Sequence, residues 1–571
     1  MKRLVFFVFQ SILAFVSFSQ ELDTVKFDYR TGGKLDSVDF SNSFPMSTFS
    51  GGVLDGVNSF VSSDFIYSNP SLLNFVGEAK YSNMKFSALP HLGFSYSFGG
   101  NGVQFVHFDY QHSTKNTLLN VGYDRSSSSG VIRNSDFLKN DVQVQLNRLG
   151  EKVDFLFSGS FGNKDIGLSG GIVSDTFIEE QGVGFLPVKY DNARSFFKSA
   201  DVTFSNFYHE KKDSIGYSSS GVQSFHSFKS ISREFTNDVL LPNYIYDSIM
   251  TRDQYRTSCL QNGLGVYLKK NRFFLNFLAN HRYLHYQNLG LHTDTNELNL
   301  TSSFQYFNKD LCLKNEFSFN LIGAGRERFN NTSFSFNFKR FKFSGEVLYS
   351  QLWPLFNQRK YYSNLYNLNL SEFDLQTKFK QILTMTKTFL NKQSVYFKVS
   401  NYAMKNNYFF IKDKWRNDTL TSINMQTLEF GGGVNYKHFY LNPTVRLNLI
   451  SNEINITPSY VLNNRFFVKG KLFKAKKMEA IFGVDVSYVS SYNTLDYNPV
   501  VDAFVFSDDI NRFKGYYSLS TYFGFEMGEF RMYARIENMQ YPFVDKTNQV
   551  VTGYPVQPNF VRLGVTWDFF N

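Results

Sequence analysis

Every second residue of the closing segment FVRLGVTWDFFN, residues 560–571, is apolar: Val561, Leu563, Val565, Trp567 and Phe569. Between them stand Arg562, Gly564, Thr566 and Asp568, with only Phe570 breaking the polar run. On a strand, successive side chains point to opposite faces, so the apolar set forms one stripe. On a helix the same residues would step round by about 200° and give no face. The pattern predicts a strand, oily on one side and charged on the other.

The pattern recurs. Val142, Val144 and Leu146 alternate with Gln143, Gln145 and Asn147. Leu311, Leu313, Phe317, Phe319 and Leu321 alternate with Lys314, Glu316, Ser318 and Asn320. Phe334, Phe336 and Phe338 do so with Ser335 and Asn337, and Leu441, Val445, Leu447 and Leu449 with Asn442, Thr444, Arg446 and Asn448. Met478, Ala480, Phe482, Val484, Val486 and Tyr488 alternate with Glu479, Asp485 and Ser487. At FKRF (338–341), YKHF (436–439) and MGEF (527–530), two residues separate one apolar stripe from the next. Each is a two-residue hairpin turn that keeps both stripes on one face. Other joins, 353–370, 405–420 and 541–558, are long and polar. Short turns at one end and long loops at the other is the arrangement of outer-membrane barrels. From His91 to Phe570 the stripes number about 22 strands, in a range of 20–24; the alternation of short and long joins is lost between 450 and 477.

Composition separates a membrane barrel from a soluble β protein. Phe numbers 66 and Tyr 35 against 3 Trp, and aromatics make up 18% of the chain. Mean hydropathy is only −0.28, so apolar residues are interleaved with polar ones. Strands of about 9–13 residues suit a tilted membrane crossing better than a sandwich, and aromatics are the residues that form interfacial girdles. A sheet of some twenty strands would also leave sticky edges unless it closed on itself. The fold class expected is all-β: a transmembrane, antiparallel, up-and-down outer-membrane β-barrel over residues 91–571.

The opening MKRLVFFVFQSILAFVSFSQ has Lys2 and Arg3, an apolar run from Leu4 to Val16, and small residues at Ser17 and Ser19. That is the pattern of a secretory signal peptide, residues 1–19, and the run is short for a membrane anchor. Residues 20–90, rich in Gly, Ser and Asp with weak periodicity, are expected to form a periplasmic or lumen-entering segment. Two cysteines, Cys259 and Cys312, exclude a disulfide-stapled scaffold, and their pairing is left open. The charge of +10 brings no recognition motif or basic helix with it, so nucleic acid is not an expected partner.

The segments KLDSVDFSNSFP, SGGIVSDTF and RIENMQYPF…GYPVQPNFVRLGVTWDFF resemble the putative porin family of Bacteroidetes. The closing hairpin is also similar to that of TonB-dependent receptors. Those carry a plug of well over a hundred residues, whereas only about seventy precede the first clear strand here. The porin resemblance implies a diffusion channel in the outer membrane of a Gram-negative cell. It leaves the solute unassigned. The aromatic terminal strand looks like the signal read by the outer-membrane assembly machinery.

Catalytic chemistry finds little support. GLSGG at 167–171 matches the nucleophile-elbow pattern G-x-S-x-G around Ser169, but no helical periodicity follows it. His281 and His285 in HRYLH are spaced for zinc on a helix, yet on a strand they lie about 13 Å apart. No catalytic, metal or cofactor site is expected, and the protein is read as a non-enzyme. What remains is the inward face of the strands. Lys342, Arg446, Lys469, Lys471, Arg531, Arg535 and Arg562 fall on inward stripes, as do Glu316, Glu346, Glu429, Asp485, Glu537 and Asp568. In a water-filled lumen such charges set ion preference, here mildly anionic; alternatively they pair across strands and solvate the wall. Val561, Leu563, Val565, Trp567 and Phe569 are expected to face lipid. Two functions fit: a porin-like channel for small hydrophilic solutes, or a scaffold of a secretion, motility or adhesion assembly with a filled lumen. Oligomeric state is not legible.

Overall fold

The computed structural model describes residues 90–571 apart from 115, 177, 213–217, 239–244, 246–248, 324–326, 370–372, 390–392, 407, 412–413, 417–421, 451–455, 475–476, 506–510 and 571. The expected signal peptide and nearly all of the 20–90 segment therefore lie outside the described residues. Twenty-two strands form one antiparallel sheet whose first strand pairs with its last, so that sheet is a barrel without edges, and small two- to four-stranded sheets lie in the joins.

The first strands are β1 (His91–Gly99), β2 (Gln104–Ser113), β3 (Thr117–Ser128), β4 (Phe137–Arg148), β5 (Val153–Gly167), β6 (Arg194–Lys212) and β7 (Ser218–Asn237). They continue through β8 (Thr251–Lys270), β9 (Phe273–Asn288), β10 (Leu291–Phe307), β11 (Leu311–Ile322), β12 (Arg328–Phe338), β13 (Phe341–Leu352), β14 (Gln376–Thr388) and β15 (Ser394–Lys405). The last are β16 (Ile423–Tyr436), β17 (Phe439–Ile450), β18 (Tyr460–Leu472), β19 (Met478–Val489), β20 (Tyr516–Met527), β21 (Phe530–Glu537) and β22 (Phe560–Phe570). Each pairs with its sequence neighbours, and Val565 of β22 sits opposite Tyr96 of β1 at the closing seam.

The three predicted hairpins are present, with Phe338 opposite Phe341, Tyr436 opposite Phe439 and Met527 opposite Phe530. The first turn residue is left-handed in each: Lys339 at φ 55°, Lys437 at 54° and Gly528 at 61°. Joins at this end of the barrel are short, and both His91 and Phe570 emerge there. Every longer join, including 168–193, 353–375, 490–515 and 538–559, lies at the other end. The stretch from 450 to 477 resolves into the loop 451–459, strand β18 and the turn 473–477, so the alternation of ends is unbroken.

The outward face is apolar and framed by aromatics. At the turn end Phe530 meets Trp567 edge-on at 5.8 Å, and Trp567 stacks on Phe569 at 4.5 Å. At the loop end Tyr460 stacks on Tyr488 at 5.6 Å. Val561 and Trp567 are about half exposed, while Arg562 and Asp568 on the opposite face are buried. That is the division expected of a wall with oil outside and polar groups within. Among the described residues no helix is long and apolar enough to cross a membrane.

Candidate functional site: the charged inner wall and the closed mouth

Strand alternation turns one residue in two toward the barrel interior, and across β17 to β22 that row is heavily charged. The charges meet. Arg446 reaches Glu429 at 2.8 Å, and Lys469 reaches Glu479 at 3.5 Å. Asp485 accepts from Arg465 at 2.9 Å and from Arg535 at 2.8 Å. Arg535 also lies 3.6 Å from Glu537, which Arg562 contacts as well. Arg531 donates to Asp568 at 2.8 Å, and His91 of β1 approaches the same carboxylate at 3.5 Å. On β13 and β14, Glu346 and Lys380 are 3.5 Å apart. Opposite charges facing one another across strands support the sheet; here they form a nearly continuous alternating ladder. Arg446, Arg531, Arg535 and Arg562, the four arginines behind the expected anion preference, each have a carboxylate partner. Lys342 and Lys471 lie exposed toward the turn end, and Glu316 is buried in β11.

The loop end is built differently. Segments 129–136, 168–193, 490–505 and 538–559 turn over the mouth and bury Val131, Ile172, Leu186, Tyr492, Val500, Val551 and Tyr554 in one apolar core. Inward strand residues complete that core, among them Phe197, Phe235, Phe329, Leu348 and Met425. A second cluster joins Tyr361, Phe410, Val501 and Ala503 of the loops to Tyr255 of β8 and Tyr286 of β9. The loops are also bonded backbone to backbone. Ile172 donates to the Gly553 carbonyl at 2.8 Å and Thr552 to that of Leu495 at 3.1 Å. Gly171 and Gly553 approach so closely that a Cβ on either would meet the other's Cα at 2.8–2.9 Å. Lys546 pairs with Glu179 at 2.7 Å, and Lys514 with Asp545 at 2.8 Å. The Lys514 ammonium holds the Asp545 carboxyl below the usual carboxylate range. Loops of this length read as polar from sequence, yet they form a packed cap.

Part of the join 490–515, described from 490 to 505, reaches across the mouth. The join springs from β19 and returns to β20, while its tip meets β7, nearly opposite in the strand order. Extended chain from Val489 to Val500 spans at most about 40 Å. Arg233 of β7 receives the tip. Its guanidinium donates to the Val500 carbonyl at 2.6 Å and to the Pro499 carbonyl, and to Ser195 Oγ at 2.9 and 3.2 Å. Tyr361 adds a bond from its hydroxyl to the Val500 carbonyl at 2.8 Å.

The motifs singled out for chemistry are otherwise occupied. Ser169 is fully buried in the cap, accepts from the Gly171 amide at 3.2 Å, and is followed by irregular chain with left-handed Gly170 and Gly171 rather than directly by a helix. His281 and His285 point outward from β9, paired with Asn296 at 3.2 Å and Asp294 at 2.6 Å. Among the described residues no group of three or more His, Cys, Asp or Glu is placed to hold a metal ion. Cys259 and Cys312 are free thiols.

Several inward groups escaped the sequence reading. Arg282 binds Glu297 at 2.6 Å and Glu327 at 3.1 Å, and Asp154 accepts from the Gly150 amide at 2.9 Å while its other oxygen meets His209 Nε2 at 2.8 Å. The signal for Arg282 was present, because His281, Tyr283 and His285 take the outer face and leave it the inner one. Arg465 lies in NNRFFV, where adjacent apolar residues hide the phase. Arg233 stands on an inward stripe with Phe225, Ile231 and Phe235, which reads as outward.

Similarity to solved structures covers most of the chain. The ferric enterobactin receptor of Pseudomonas aeruginosa superposes with a TM-score of 0.59 at 11% identity, covering 85% of this chain and 82% of the receptor. The FrpB iron transporter of Neisseria meningitidis gives 0.58 at 10% identity, over 85% and 82%. The ferric-catecholate import receptor Fiu of E. coli K12 gives 0.55 at 9%, over 85% and 82%. At such identities the likeness is one of fold. No curated protein matches the sequence. The family profile described as putative porin does match, over residues 64–571, which takes in every strand of the barrel, and the chain belongs to that family.

Proposed function

We propose that the protein is an outer-membrane transport barrel that passes small hydrophilic solutes without chemical conversion, through a lumen whose outer mouth the cap closes. The observation that carries this reading is the closed 22-stranded wall, apolar and aromatic outside and charged inside. Such a wall satisfies every strand edge and presents polar groups only to an enclosed path. Family membership and the fold of the transporter barrels support it. With the cap in place the mouth is packed, so passage follows cap movement, in contrast to a permanently open pore. The residues Val561, Leu563, Val565, Trp567 and Phe569 are then lipid contacts, and insertion runs through the outer-membrane assembly machinery.

The packed cap is also what a scaffold with a filled lumen would have. Planar-bilayer recordings separate the two. Three proteins are compared: the full mature chain, one lacking residues 20–90, and one in which 490–515 is replaced by a short turn. Conductance that appears or rises when 490–515 is shortened supports gated transport. Conductance gained only by removing 20–90 assigns closure to that segment. Silence in all three, from barrels that still migrate as folded species unless heated, favours the scaffold.

A further inference from the structure

We infer that Arg233 is an anion-binding latch: a solute carrying a carboxylate or phosphate group takes the place of the Pro499 and Val500 carbonyls on its guanidinium and so releases the loop across the mouth. This rests on the transport reading and adds to it a solute class and a trigger.

The inward arginines divide into two kinds. Arg282, Arg446, Arg465, Arg531, Arg535 and Arg562 each lie within salt-bridge distance of a carboxylate. Arg233 is as deeply buried as any, at 1% exposure, yet its described partners are two backbone carbonyls and one serine hydroxyl. Phe197 and Phe235 cover it, their ring centres 5.7 and 5.5 Å from the guanidinium carbon. Asp502 and Asp253 both contribute to the field at Arg233, and the Asp502 carboxylate accepts from the Tyr497 hydroxyl at 2.9 Å. The described hydrogen bonds of Arg233 go to neutral acceptors, and the negative field at the site comes from carboxylates outside those bonds. Bonds from a guanidinium to an anion are roughly twice as strong as those to neutral groups, and a carboxylate or phosphate can take two at once. The same two carbonyls fasten the tip of 490–515 to the wall nearly opposite its root. Exchange of carbonyls for an anion therefore couples binding to opening, because the ligand favours only the state in which the loop has left.

Crosslinking tests the latch apart from transport. In a Cys259→Ser/Cys312→Ser background, Ser195→Cys and Val500→Cys place thiols on two buried groups that share one guanidinium, so that disulfide crosslinking under a small diffusible oxidant reports the closed loop. Inorganic phosphate, with trehalose as neutral control, should slow crosslinking about tenfold, the change expected for one charge-assisted hydrogen bond. Adding Arg233→Ala should slow it without phosphate and leave no further response, in protein that retains heat-modifiable migration. Arg233→Lys, a point charge without the two-pronged geometry, should show a reduced response. A rate indifferent to phosphate, or to Arg233→Ala, would overturn the latch. If the rate responds but no variant conducts, the latch stands and the transport reading fails.

Discussion

At the scale of single residues, the inner wall is defined by who pairs with whom. Asp485, 2% exposed, serves Arg465 and Arg535 together. Asp485→Asn removes the charge and takes from the fully buried Arg535 one of its carboxylate partners. Breaking a buried pair from one side typically costs about 3–5 kcal/mol. A lowered urea midpoint for the folded, heat-modifiable form should show it, while Arg465→Ala, at the more exposed partner, should cost less. The two faces make a second prediction. Val565→Arg puts a charge in lipid near mid-strand, at about 2–4 kcal/mol. Thr566→Arg points into the lumen beside Ser95, whose hydroxyl is 3.1 Å from that of Thr566, and should be much milder. Equal refolding yields for the two would refute the facing of β22. Alternation made these faces legible from sequence. The partners were not, because Asp485 meets Arg535 across a strand that contributes nothing to either stripe, and only the register of β18 to β21 reveals it.

At the scale of elements, the short hairpins were legible because the two-residue joins FKRF, YKHF and MGEF leave the stripes in phase. Strand β18 was harder. Its run Phe466-Phe467-Val468 is apolar on both faces, since Phe467 turns inward to stack on Tyr440 at 4.6 Å and joins Ile481 and Tyr522. Meanwhile Asn464 sits on the outer stripe, so neither parity looks clean. The cap was not legible for a related reason. Val550, Val551, Tyr554 and Val556 carry no periodicity, and their burial depends on contacts with 168–193 and 490–515, far away in sequence. Orientation gives the element-scale prediction. The 538–559 loop is at the same end as the cap, and the Gly528-Glu529 turn is at the other. In intact cells a membrane-impermeant maleimide should label Phe543→Cys, whose native side chain is 83% exposed, and miss Glu529→Cys. The reverse pattern would invert the barrel.

At the scale of the whole molecule, the barrel and its lumen charge act together, and ion preference reads both. A ladder of pairs still carries its net charge, but each pair shortens the range of its field, and salt screens what is left beyond about 8–10 Å. Selectivity should therefore be weak in the channel opened by shortening 490–515, and weaker at high salt. Arg531→Gln with Arg535→Gln removes two cations from the wall. Asp568 then keeps His91, and Asp485 keeps Arg465, so the wall between β19 and β1 becomes more acidic. Low-dielectric walls focus such an imbalance along an enclosed path. The reversal potential across a salt gradient should move toward cation preference in the double variant, by an amount that falls as ionic strength rises. An unchanged reversal potential in a barrel that conducts would mean that the ladder does not face the conducting path.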